Sequence, residues 1–144
     1  RKCNIGRHVK GELMTQETLA RDVNELGVPI LRRTQEIIEF LQPKVWYLEN
    51  PYTGSMKDFI DQKPIIVDYC MFGYDYRKRT AIWSNVNVES KMCDKSHLVN
   101  NRHLRTAIGS SKTQPGQGGS RSKSGRYSVP EPLVQYLLGK HNVN

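Results

Sequence analysis

The sequence predicts an α/β fold, and three observations carry that expectation. Between residues 29 and 42, Ile30, Leu31, Thr34, Ile37, Ile38 and Leu41 recur at helical spacing and fall on one face. Pro43 closes that segment, and a strand-forming run, Val45 to Leu48, follows at once. Two more runs of strand character, residues 65–70 and 80–84, come soon after. Helix, short loop and strand in succession mark an α/β chain rather than an all-helical one.

The elements follow in order. Residues 1–14 read as a basic, irregular lead-in with Arg1, Lys2, Arg7, His8 and Lys10. Thr15 is placed to cap a helix running through Leu26, with Glu17 in its first turn and Gly27 as its C-terminal stop. Pro29 suits the first turn of the next helix. After Val45–Leu48, Pro51 has no N–H to donate and fixes its own φ, so the strand is expected to end before it. Glu49 and Asn50 then sit at the carboxyl edge of the sheet, where open α/β sheets bind ligands; a polar turn after a buried strand fits the same residues. Residues 51–63 read as a loop with one helical turn near 57–60. A strand over 65–70, a turn over 73–76 and a strand over 80–84 follow, the two strands as neighbours. Pro132 opens a last helix reaching about Leu138, and Gly139 ends it. Three regions result: an α/β portion over 1–89, a basic Gly/Ser-rich stretch over 90–126 and a returning terminal helix over 127–144.

The 144 residues carry a formal net charge of +8 and a pI near 9.5, which points to a polyanionic partner, most often nucleic acid. From Ser90 to Arg126 there are eight Lys/Arg against one acidic residue, Asp94. Residues 109–126 are low-complexity and are expected to order only on binding. Three cysteines make no disulfide framework, so a reducing, intracellular setting is expected, nuclear in a eukaryote. No apolar run approaches membrane-spanning length and no signal peptide is visible, so no membrane partner is expected. Arg1 at the start suggests a processed or excised piece.

Two motifs add a family. Glu49-Asn50-Pro51 at the end of a strand, followed by Asp68-Tyr69-Cys70 and by Tyr76-Arg77-Lys78-Arg79-Thr80-Ala81-Ile82-Trp83, resemble the DNA cytosine-5 methyltransferases, and most of all a divergent branch in phage-like and mobile-element proteins. The resemblance spans about residues 15–138, the second half of a catalytic domain. It implies part of a Rossmann-like sheet, S-adenosylmethionine as methyl donor and DNA as substrate. It gives Glu49 the role of activating the cytosine ring and Asn50 that of holding the loop. Counted from Gly73, the family's two arginines fall on Lys78 and Thr80 and its glutamine on Tyr76. Lys78 is therefore expected to face the site, with Arg77 and Arg79 as outer contacts on the opposite face. Arg102, Arg105, Lys112, Arg121, Lys123 and Arg126 occupy the stretch where these enzymes place target recognition. They suit phosphate contact, and a solvated linker equally. The segment from Arg126 through Val134 resembles the family's last motif, a proline-initiated helix beside the cofactor pocket.

Cys93-x3-His97-x5-His103, with Cys70 as a fourth donor, has zinc-ligand chemistry, but structural zinc sites usually show tighter paired spacing, and no metal is assigned from the sequence. The family's nucleophile follows two prolines upstream of its Glu-Asn motif, and its glycine-rich cofactor loop also lies upstream. This chain has no Pro-Cys pair. It is therefore expected to be inactive alone, and to be completed by an upstream segment or a second chain. The alternatives are a DNA-binding relic without catalysis and a scaffold protein built on the half-domain.

Overall fold

The computed structural model describes residues 5–9, 11–105 and 127–139. It is mixed α/β. The strands are β1 (His8–Val9), β2 (Glu12–Leu13), β3 (Tyr47–Pro51), β4 (Ile65–Asp68) and β5 (Arg79–Ser84); the helices are α1 (Gln16–Asp22), α2 (Val28–Leu41) and α3 (Glu131–Gly139). β1 and β2 form a two-stranded antiparallel sheet with His8 opposite Leu13, and the other strands form a sheet of order β3-β5-β4. Two compact units result, one from residues 1–64 with 81–87, the other from residues 65–80 with 88–144.

In the first unit the lead-in is a hairpin rather than irregular chain. Gly11 takes a φ of +85°, the left-handed conformation that glycine reaches without a Cβ penalty. Thr15 does cap α1: its hydroxyl accepts from the Thr18 N–H, and the Thr18 hydroxyl accepts from the Thr15 N–H, a reciprocal box made with threonine. Gly27 does not stop the helix. Its φ and ψ of −69° and −51° are helical, and a wide π-helical turn over Val23–Gly27 leads straight into α2. Pro29 supplies the reason, because a regular α-turn would press its ring on the carbonyl four residues back. The stop comes at Gln42, which caps α2 in the left-handed conformation and donates its N–H to Ile38.

The apolar face of α2 is only partly used: Leu31 is buried, whereas Ile30 and Leu41 are 68% and 65% exposed. The buried apolar side chains of this unit include Met14, Leu19, Leu31, Ala81, Ile82 and Trp83. The Trp83 indole N–H donates to the Gln62 carbonyl at 2.9 Å, and the Gln62 amide donates to the Ser84 carbonyl at 2.7 Å. The Asn85 side chain accepts from the Trp46 N–H and donates to the Lys44 carbonyl, tying the approach to β3 to the end of β5.

In the second unit β4 ends two residues earlier than its apolar run. Tyr69–Phe72 form a 3-10 turn closed by Gly73, whose φ is +83°. Val67 bridges Lys91 in parallel, with Asp68 N–H to Lys91 O at 2.9 Å and Lys91 N–H to Ile66 O at 3.0 Å. Asp68 is fully buried. It accepts both guanidinium hydrogen bonds of Arg79, at 3.0 and 2.9 Å, and the Cys93 N–H at 2.9 Å. Burial pushes this carboxyl up, but Arg79 and the Cys93 N–H together outweigh it and hold the carboxyl below its ordinary value. Leu133 and Leu137, one turn apart on α3, are buried, and the Phe72 and Tyr136 rings lie 5.4 Å apart.

Removing one partner of a buried pair leaves the other charge uncompensated. Arg79→Met is expected to destabilise the protein by about 3 kcal/mol in chemical denaturation, whereas Arg77→Met, at an exposed position, stays within about 0.5 kcal/mol. The contribution of Asp68 is full above its unfolded value of 3.8 and disappears as the pH falls through the lower folded value. Arg79→Met should therefore also flatten the acid limb of the stability curve.

Candidate functional site

Glu49 and Asn50 lie within β3, not beyond it. The strand runs on through Pro51, which an edge strand tolerates because one of its sides needs no ladder donors. Strand alternation then separates the two side chains: Glu49 is exposed, while Asn50 is half-buried on the other face. The Gly54 N–H donates to the Pro51 carbonyl at 2.7 Å, closing a tight turn directly after the strand. Gly54 sits so close to Asn50 that a Cβ there would overlap the Asn50 amide oxygen and lie 3.0 Å from the Pro51 carbonyl. The glycine thus fixes where the Asn50 side chain goes. Asn50 and Pro51 border a groove of about 350 Å³ whose other walls include Leu19, Leu31, Met56 and Phe59.

The cationic triplet is in the second unit, and its members differ. Arg77 is exposed. The Lys78 ammonium stands 4.4 Å above the Tyr69 ring, a cation–π contact that orients it. Arg79 places its fork on Asp68 and has a side chain 36% exposed. Tyr76 and Thr80 are buried, so the even positions face inward. Arg105 pairs with Asp75 at 2.9 Å, while Arg102 is exposed on a tight turn. Lys112, Arg121, Lys123 and Arg126 lie outside the described residues.

Cys70, Cys93, His97 and His103, widely spaced in sequence, come together in the second unit, with one donor atom from each within 4.8 Å of the others. Burial, then the neighbouring Cys93, pushes the Cys70 thiol up to about 12. Burial, with His97 and Arg77 nearby, pushes His103 down from its ordinary value. From the sequence, Asp68 stands only as part of a family motif and Gly54 only as a loop glycine. Their signals were an acid inside an apolar strand, and a glycine four residues after the Glu-Asn pair.

A relative is known from a virus. The "Probable DNA (cytosine-5)-methyltransferase" of Frog virus 3 (isolate Goorha) is 35% identical over 147 residues, an alignment that covers 96% of this chain and 67% of the relative. The chain belongs to the DNA cytosine-5 methyltransferase family. It spans about two thirds of that relative's length. No family model matches the chain, and no solved structure does. Cytosine-5 methyltransferases use S-adenosylmethionine as methyl donor. The residues described here do not form a cradle for it. α1 starts from a threonine cap, α2 continues from the preceding helical turn and α3 follows Pro130, so none opens from a glycine-rich strand-to-helix loop. Among the described residues no helix is long and apolar enough to cross a membrane.

Two glycines give a matched test of the Asn50 wedge. Gly54→Ala forces overlap with Asn50 and is expected to cost about 1–3 kcal/mol. Gly27→Ala, in helical conformation with its nearest neighbour at 3.9 Å, is expected to gain about 0.5–1 kcal/mol. Thermal melts of the two variants should therefore move in opposite directions.

Proposed function

We propose that this chain supplies the base-activating part of a DNA cytosine-5 methyltransferase, with Glu49 as the residue that activates the cytosine. The observation that supports this best is an exposed carboxylate on a strand, next to an asparagine wedged by Gly54. Carbon 5 of cytosine is a poor nucleophile until a thiolate adds to carbon 6. That addition pushes electron density onto ring N3. A carboxylic acid facing N3 and the exocyclic amine offsets it by donating a proton to N3 and accepting from the amine. Asn50 holds the turn that presents this carboxyl.

The thiolate comes from a segment outside these 144 residues, because the sequence holds no Pro-Cys pair. S-adenosylmethionine supplies the methyl group, and the glycine-rich loop that holds it lies outside this chain as well. Lys78, oriented by Tyr69, is assigned to the base side. Arg77 and Arg102 are assigned to phosphate, along with Lys112, Arg121, Lys123 and Arg126. Arg79 and Arg105 act one step back, through Asp68 and Asp75.

The test uses the complete enzyme, in which this chain acts with the segment that carries the nucleophile and the cofactor site. Glu49→Gln should abolish methyl transfer, a loss of at least about 100-fold, while DNA affinity is unchanged. Full turnover by that variant would remove the proposal. Affinity that falls steeply with salt and ignores Glu49, with no methylation by the complete enzyme, would instead favour the DNA-binding relic.

A further inference from the structure

We propose that Cys70, Cys93, His97 and His103 bind one Zn(II) ion in a closed, structural Cys2His2 site. Nothing in the methylation chemistry above calls for these four residues to meet. They do so in the structure, with Cys70 on the 3-10 turn after β4 and the other three on the segment after Lys91. The Cys93 sulfur is 3.6 Å from His103 Nε2 and 3.8 Å from His97 Nε2. Tetrahedral zinc, with bonds of about 2.3 Å to sulfur and about 2.0–2.1 Å to nitrogen, separates sulfur and nitrogen donors by about 3.6 Å. The two histidine nitrogens thus stand near liganding distance from Cys93, and all four donors lie within 4.8 Å of one another.

The surroundings fit a metal site. Both histidines turn Nε2 toward Cys93. His97 Nδ1 lies 3.9 Å from Asp94 Oδ1, a carboxylate oxygen already held by the Ser96 N–H and hydroxyl at 3.0 and 2.7 Å. At that distance the carboxylate favours the imidazole electrostatically without a direct hydrogen bond. The Cys93 N–H is held by Asp68, so the ligand backbone is anchored to the buried pair with Arg79. Asn100 and Asn101, with φ of 51° and 61°, make the reverse turn that returns His103 to His97, closed by two hydrogen bonds of 3.0 Å between Val99 and Arg102. Lys95 also has a left-handed φ, of 68°.

The segment needs such a tie. From Glu89 to Arg105 no residue is buried, and the three that are half-buried are Cys93, Leu98 and His103. A segment without its own core cannot offset the entropy of holding strained backbone, and a metal contributes that stability directly. Two thiolates and two neutral imidazoles select zinc over harder ions, and four protein donors leave no position for a catalytic water.

The experiment is metal analysis of the full-length protein purified without chelator. One zinc per chain is expected, retained in Glu49→Gln and lost in Cys93→Ser and His103→Asn. Cobalt(II) added to the metal-free wild-type protein should give the intense visible absorption of a tetrahedral thiolate site. That readout does not depend on whether the variants fold. Absence of stoichiometric zinc together with a weak octahedral cobalt spectrum would overturn the proposal. So would a Cys70–Cys93 disulfide found by mass spectrometry in the protein isolated under reducing conditions. A loss of activity in Glu49→Gln with full zinc keeps the two proposals separate.

Discussion

The second unit depends on one buried carboxylate. Asp68 is sealed from water at the end of β4, where an isolated charge would be very costly. Three donors make it tolerable: two from the Arg79 fork and one from the Cys93 backbone. They come from two places in the chain. Arg79 begins β5, and Cys93 begins the segment that holds the proposed zinc ligands. The carboxylate therefore sets where that segment starts relative to Cys70, two residues along from Asp68. A hydrophobic residue at Asp68 could fill the space, but it could not make these three directional bonds.

The first unit solves a different problem, the presentation of a carboxylate from a strand. β3 is an edge strand, which explains how it accommodates Pro51. The proline also blunts the edge against unwanted pairing. Because β3 continues through Pro51, Glu49 inherits strand rigidity instead of loop freedom, and Asn50 is turned to the opposite face. Gly54 completes the arrangement by leaving room for the Asn50 amide, which no residue with a Cβ would do. The wide helical turn before α2 serves Pro29 in a similar way, keeping the chain helical where the proline ring would otherwise break it.

Much of this was legible in the sequence. The Thr15 cap, Pro132 in the first turn of α3 and the glycine turn at Gly73 are local chemistry, decided within a few residues. The family was legible for the same reason, since its motifs are short and contiguous. Other features were misread where distant residues intervened. Gly27 looked like a stop, yet a glycine takes helical dihedrals at small cost when helix continues on both sides. Val45–Leu48 looked like the strand and Pro51 its end, because sequence does not say which strand lies at an edge. The apolar stripe of α2 promised a core face, of which Leu31 is buried and Ile30 is not.

By itself, the sequence determined the α/β class, the Thr15 cap, the Gly73 turn and the family. Each of these rests on residue type and near-neighbour spacing. Only the tertiary structure decided that Arg79 belongs to Asp68 while Arg77 faces solvent, that Gly54 shapes Asn50, and that Cys70 meets Cys93, His97 and His103. Those outcomes turn on which distant segments are brought side by side. Spacing along the chain cannot encode a distance of 3.6 Å between residues ten positions apart.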